Sequence, residues 1–135
     1  MASRENLILL DTHIWVWSVF RSPRLEARFA ELIDARFESV CVSVTSCWEI
    51  AMLAAKRRID LTLPTSEWFG KVFAQSGIRV LPITPEVTVE AYELPGRFHQ
   101  DPADRMIVAT ARLHKCLLIT EDEKIVRYPF VETAE

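Results

Sequence analysis

The chain has 135 residues, 50% of them apolar and 26% charged, with 19 acidic against 16 basic side chains and a formal charge of −3. That size supports one hydrophobic core in a single domain over residues 1–135, and the apolar content excludes intrinsic disorder. The net charge excludes a generally basic nucleic-acid coat, so any such contact must come from local patches such as Lys56-Arg57-Arg58.

In chain order, Leu7-Ile8-Leu9-Leu10 is a continuous apolar run, the pattern of a strand buried on both faces. The run is too short for the core of a secretory signal, and no apolar stretch approaches the roughly 20 residues that span a bilayer. Residues 12–20 and 24–35 read as two helices separated by Arg21-Ser22-Pro23. Val40-Cys41-Val42-Ser43 is a second strand, and Ser46-Cys47-Trp48-Glu49 opens a helix running to about residue 58. A helix over 65–76 stops near Gly77, a strand follows at 79–83, and a helix at 85–93. From 102 to 114, Ala103, Met106, Ile107, Thr110 and Ala111 recur at the spacing of one buried helical stripe. Cys116-Leu117-Leu118-Ile119 is again a buried strand, with a last short strand near Phe130-Val131. Alternating strands and helices define an α/β fold with a mostly parallel sheet. Cys41, Cys47 and Cys116, odd in number and without a C-x-x-C pair, read as reduced thiols of a cytoplasmic protein.

Open parallel sheets bind ligands beyond the carboxyl ends of their strands. Asp11 follows the first strand, and Glu49 lies in the first turn of the helix after the second. Asp104 opens the helix that leads into the strand at 117–119, and Asp122 follows that strand past Thr120. Each acid also has a plainer reading. Ser46 to Glu49 fits a capping box. Asp101-Pro102 is a good helix start, which would leave Asp104 a dipole partner. Asp122, within Glu121-Asp122-Glu123, fits a solvated loop. Asp11 is harder to dismiss, because a carboxylate ending an apolar strand is costly to bury. A converging set of acids needs a counter-charge, and oxygen-only ligands select a hard cation, Mg²⁺ or Mn²⁺.

Four strings carry these acids: Leu9-Leu10-Asp11-Thr12-His13-Ile14-Trp15, Ser43-Val44-Thr45-Ser46-Cys47-Trp48-Glu49-Ile50, His99 through Ala111 with Asp101-Pro102-Ala103-Asp104-Arg105 at its head, and Leu118-Ile119-Thr120-Glu121-Asp122. In this order and at these separations they resemble the PIN-domain ribonucleases, in particular the VapC toxins of bacterial toxin–antitoxin pairs. The resemblance covers nearly the whole chain and implies a PIN-like three-layer α/β/α sandwich. It also implies metal-dependent endonucleolytic cutting of RNA that leaves a 5′-phosphate and a 3′-hydroxyl. The family's acids fall on Asp11 and Asp104 as direct ligands of Mg²⁺ or Mn²⁺, on Glu49 as a ligand or water orienter, and on Asp122 as a ligand of a weaker or second metal. Glu121 and Glu123 are alternatives to Asp122, and Thr120 matches a hydroxyl that orients the acids. The expected partners are RNA, a VapB-like antitoxin and a second copy of the chain, with no membrane.

Around these acids, Arg21, Arg24 and Arg28 read either as solvated or as followers of a phosphate backbone, and Arg105 as an RNA ligand or the partner of a carboxylate. His13 and His99 read first as structural. Trp15 and Trp17 read as core or dimer surface, with base stacking the alternative, and Trp48 and Trp68 as core. A phosphoacceptor receiver, also α/β, would need paired acids after the first strand and a lysine after the last, where Asp11 stands alone and Lys124 is the only candidate. A PIN scaffold that binds without cutting is the remaining rival.

Overall fold

The computed structural model describes residues 6–135. Four short strands, β1 (Ile8–Leu10), β2 (Val40–Ser43), β3 (Arg79–Leu81) and β4 (Leu117–Ile119), form one parallel sheet in the order β3-β2-β1-β4. Ile8 registers with Val40 on one side and Leu117 on the other. The chain therefore leaves β1 in one direction and returns on its far side at β4. That reversal puts a topological switch point at the carboxyl end of β1.

Side chains alternate across each strand, and the two faces gather separate cores. Ile8, Leu10, Val40, Val42 and Ile119 pack with Ile14 and Trp15 of α1 (Thr12–Phe20), Phe29 and Ile33 of α2 (Ala27–Ala35), Ile50 of α3 (Val44–Ala55), and Trp68 and Val72 of α4 (Thr65–Ser76). Leu9, Cys41, Leu81 and Leu118 face the other way, against Ile107, Val108 and Ala111 of α6 (Pro102–His114) and Ile125 of α7 (Glu123–Val126). The last helix, α5 (Pro85–Tyr92), packs on α6 through Val87, Ala91 and Ala109. Helices on both faces explain why the strands read as unbroken apolar runs. The three thiols are unpaired; Cys41 and Cys116 are buried and Cys47 partly so. Among the described residues no helix is long and apolar enough to cross a membrane.

Four local readings change. The helix expected from Ser46 begins at Val44, because Ser43 is its N-cap and accepts from the Thr45 N–H at 2.9 Å. Ser46 and Glu49 therefore lie inside α3 and form no capping box. Trp48 is two residues from the buried Ser46 and Ile50, which puts it on roughly the opposite side of the helix, 58% exposed rather than in the core. Lys56-Arg57-Arg58 follows the helix in a turn where Arg57 takes φ 56°. The last strand does not form at Phe130-Val131. Tyr128 instead donates its hydroxyl to the Pro95 carbonyl and packs on Phe98, Pro129 has no N–H to give, and only a single bridge pairs Leu118 with Thr133.

Thr84, which does not line the acidic pocket, caps α5, accepting from the Val87 N–H at 3.2 Å beside Pro85 at the first helical position. Thr84→Ala is expected to cost about 1 kcal/mol in a denaturant titration. A cost near zero would mean that Pro85 and packing alone hold this helix end.

Candidate active site

At the switch point Asp11 N-caps α1. Its Oδ1 accepts from the Thr12 N–H at 2.8 Å and its Oδ2 from the Thr120 hydroxyl at 2.7 Å, across the gap between β1 and β4. The Asp11 N–H itself donates to the Ile119 carbonyl at 3.0 Å, so the backbone at this corner is fixed. Burial pushes the Asp11 carboxyl up from its ordinary range, opposed by the Thr120 hydroxyl and the Thr12 N–H.

The buried Thr12 hydroxyl donates to Glu49 Oε1 and lies 2.8 Å from the Ser46 hydroxyl. Thr12 has one proton and gives it to Glu49, so Ser46 is the donor of the second bond. Ser46 and Glu49 are one turn apart on α3 and close on the same residue of α1. Burial raises the Glu49 carboxyl, the Thr12 hydrogen bond lowers it, and Asp11 and then Asp101 raise it again.

Asp104 is held in the first turn of α6, where its N–H donates to Asp101 Oδ1 at 3.1 Å. Its carboxyl is pushed from 3.8 up to about 7, first by burial and then by the charges of Asp101, Asp11, Asp122 and Glu49. His99 Nε2 lies 2.9 Å from Asp104 Oδ2 but is not aligned to hydrogen-bond it. Asp122 N-caps α7, accepting from the Lys124 N–H at 2.8 Å, and its own N–H donates to the Thr120 hydroxyl at 3.0 Å. Thr120 thus ties Asp11 to the loop that carries Asp122.

These groups open onto one cleft of about 580 Å³ lined by six acids: Asp11, Glu49, Asp101, Asp104, Glu121 and Asp122. All four acids singled out in the sequence reach it, with Thr120 behind Asp11. One more was missed, and another is the alternative named for Asp122. Asp101 is the expected cap but also lines the cleft, and after burial it is the largest cause of the Asp104 shift. Its neighbour three residues along the chain was the available signal, since a cap must sit beside the first helical turn. Glu121 lines the cleft beside Asp122, while Glu123 pairs with Arg127 at 3.2 Å instead.

The arginines separate. Arg24 lines the cleft. Arg21 ends α1 with φ 50° and lines a different, more apolar cavity of about 330 Å³ between α1, α2 and α4. Arg28 pairs with Glu26 at 2.8 Å. Arg105 is buried and gives its guanidinium to three backbone carbonyls, of Ala91, Phe98 and His99 at 2.8, 2.8 and 2.9 Å. It fastens α6 to the segment before it and, buried there, does not line the cleft. Trp15 and Trp68 are core as expected, whereas His13 and Trp17 line the cleft.

As a donor set the cleft offers mainly carboxylate and hydroxyl oxygen, with the His13 imidazole on its wall, and a set so rich in oxygen suits a hard divalent cation. Its acids lie close enough to repel, yet among the described residues no three His, Cys, Asp or Glu side chains are gathered tightly enough to hold an ion as they stand.

The model of the PIN domain family matches residues 8–131. Ribonuclease VapC22 of Mycobacterium tuberculosis is 35% identical over 118 residues, covering 87% of this chain and 88% of that one. Among solved structures, VapBC2 of Rickettsia felis bound to a promoter DNA fragment superposes with a TM-score of 0.70 at 15% identity, over 95% of this chain and 97% of that one. FitAcB of Neisseria gonorrhoeae gives 0.67 at 23% identity, over 96% and 97%. The solved structures bear out the expected α/β/α fold.

The raised Asp104 carboxyl sets a sign. The folded chain binds this proton more tightly than the unfolded chain, so metal-free protein loses stability as pH rises from 3.8 to about 7. Its melting temperature is expected to fall between about pH 5 and about pH 8. Asp104→Asn is expected to melt higher than the parent at the upper pH and to show a shallower fall. An unchanged or lower melting temperature in that variant would contradict the crowding.

Proposed function

The chain belongs to the PIN-domain family, among the VapC ribonucleases, and from that membership we propose that it is a metal-dependent endoribonuclease acting as the toxin of a toxin–antitoxin pair. The observation that carries this reading is the convergence of Asp11, Glu49, Asp104 and Asp122 on one cleft at the switch point of the sheet. Burial first, and then the charges of its neighbours, lift Asp104 to about 7, and a phosphodiester approaching these acids would need a cation between them. Mg²⁺ or Mn²⁺, held by Asp11 and Asp104 with Glu49 and Asp122 beside them, would supply an activated water and neutralise charge on the scissile phosphate.

The chain's own residues do the rest. Thr120 and the Thr12 N–H fix both oxygens of Asp11, so its orientation does not depend on the ion. Thr12 and Ser46 hold Glu49 at the cleft, in position to ligate or to orient a water. Asp101 adds negative charge next to Asp104 and so strengthens the demand for a cation at neutral pH. Attack of water on the phosphorus with cleavage of the P–O3′ bond, as membership of the family implies, would leave a 5′-phosphate and a 3′-hydroxyl.

A VapB-like antitoxin is the partner this reading requires. The solved relatives from Rickettsia felis and Salmonella typhimurium are VapBC assemblies, and an acidic cleft suits a partner that inserts a basic side chain. A homodimer in the cytoplasm completes the reading.

Purified protein free of antitoxin is expected to cut a structured RNA pool with Mg²⁺ or Mn²⁺, and to stop with EDTA or in Asp104→Asn. Metal-independent cutting, or cutting that survives the substitution, would overturn the reading. A folded protein that neither cuts nor binds metal would be a scaffold. Thr12→Val, which removes the donor to Glu49, is expected to lower kcat at least about tenfold while the protein still folds. Unchanged kcat would take Glu49 out of the mechanism.

A further inference from the structure

One wall of the cleft has a chemistry that the carboxylates do not explain. His13 and Trp17 stand one turn apart on α1, with ring centroids 5.8 Å apart and planes tilted by 52°. His13 is exposed, while Trp17 is half-buried, packing on the core with part of its indole and bordering the cleft. Arg24, from the loop after α1, completes the wall. It is the one lysine or arginine among the described residues that line the cleft, and its side chain has no ion-pair partner among them. Among the described residues no ion pair uses this guanidinium, whereas Arg28 is paired and Arg105 bonds three backbone carbonyls.

We propose that His13, Trp17 and Arg24 form a nucleotide subsite, in which an unpaired base of the RNA stacks on the Trp17–His13 surface and Arg24 holds an adjoining backbone phosphate. This rests on the nuclease reading and adds to it which residues of this chain would hold the nucleotide beside the cut. Six acids repel a polyanion, so affinity has to come from elsewhere. Stacking supplies it without charge and is worth about 1–3 kcal/mol per base, tolerant of which base is used. A base inside a duplex has both faces covered and cannot use such a platform.

The test measures fluorescence anisotropy of Asp104→Asn protein in Mg²⁺, a background chosen to prevent turnover. The two probes are a labelled single-stranded oligoribonucleotide of mixed sequence and a ribose-phosphate oligomer of equal length lacking bases. The RNA is expected to bind at least about fivefold more tightly than the base-free oligomer, and Trp17→Leu to abolish that preference while Trp17→Phe retains most of it. Arg24→Gln is expected to weaken both oligomers alike and to reduce the salt dependence by about one unit of slope. The exposed His13→Ala, which does not endanger folding, is expected to reduce the preference in part and serves where Trp17→Leu fails to fold.

Equal binding of the two oligomers, or a preference that survives both Trp17→Leu and His13→Ala, would overturn the subsite. So would failure of both oligomers to bind, which would give the wall to a protein partner. Parallel cleavage assays with Asp104 intact separate the two claims. Cutting whose KM ignores Trp17 removes the subsite and leaves the nuclease, while base-preferring binding without cutting removes the nuclease and leaves the subsite.

Discussion

Carboxylates crowded into one partly buried cleft are the constraint around which this chain is arranged. Six acids share one cleft with a single arginine on its wall. Buried acids with like charges at short range either lose ionisation or demand a counter-charge, and burial followed by the neighbouring charges lifts Asp104 to about 7. A protein selected for stability alone would have neutralised such a cluster. Keeping it is the kind of local violation that marks a working site.

What holds the acids in place is hydroxyl chemistry on a rigid apolar base. β1 and β4 are nearly inaccessible to solvent and end side by side, so Asp11 and Thr120 emerge facing each other where the sheet reverses. The Thr12–Ser46–Glu49 chain does the same between α1 and α3. Neutral donors fix geometry without cancelling charge, whereas a lysine in their place would stabilise the resting protein and remove its need for an ion. The same logic explains why Arg105, two positions from Ala103 at the head of α6, turns away into backbone carbonyls.

Much of this was legible in the sequence, because the signals were periodic or positional. Apolar runs located all four strands of the sheet, and the stripe from Ala103 to Ala111 located α6. Asp11 stood out for its place at the end of a buried run. Other features were hidden by competing local rules. Ser46-x-x-Glu49 satisfied a capping box on paper, but Ser43 three residues earlier was the better-placed cap, and the shift turned Trp48 outward and Glu49 toward Thr12. Asp101 satisfied the cap rule correctly and still belonged to the cleft, since the rule says nothing about what else a cap faces. Which arginine reaches the cleft depends on the path of the loop after α1, and no pattern along the chain encodes it.

Calorimetric titration of Mn²⁺ into metal-free protein at neutral pH tests the central claim most directly, because it asks about the cation without requiring the right RNA. The account predicts saturable binding that is lost in Asp11→Asn while the fold, followed by circular dichroism, is retained. Absence of saturable heat from folded wild-type protein, or unchanged binding in Asp11→Asn, would contradict it.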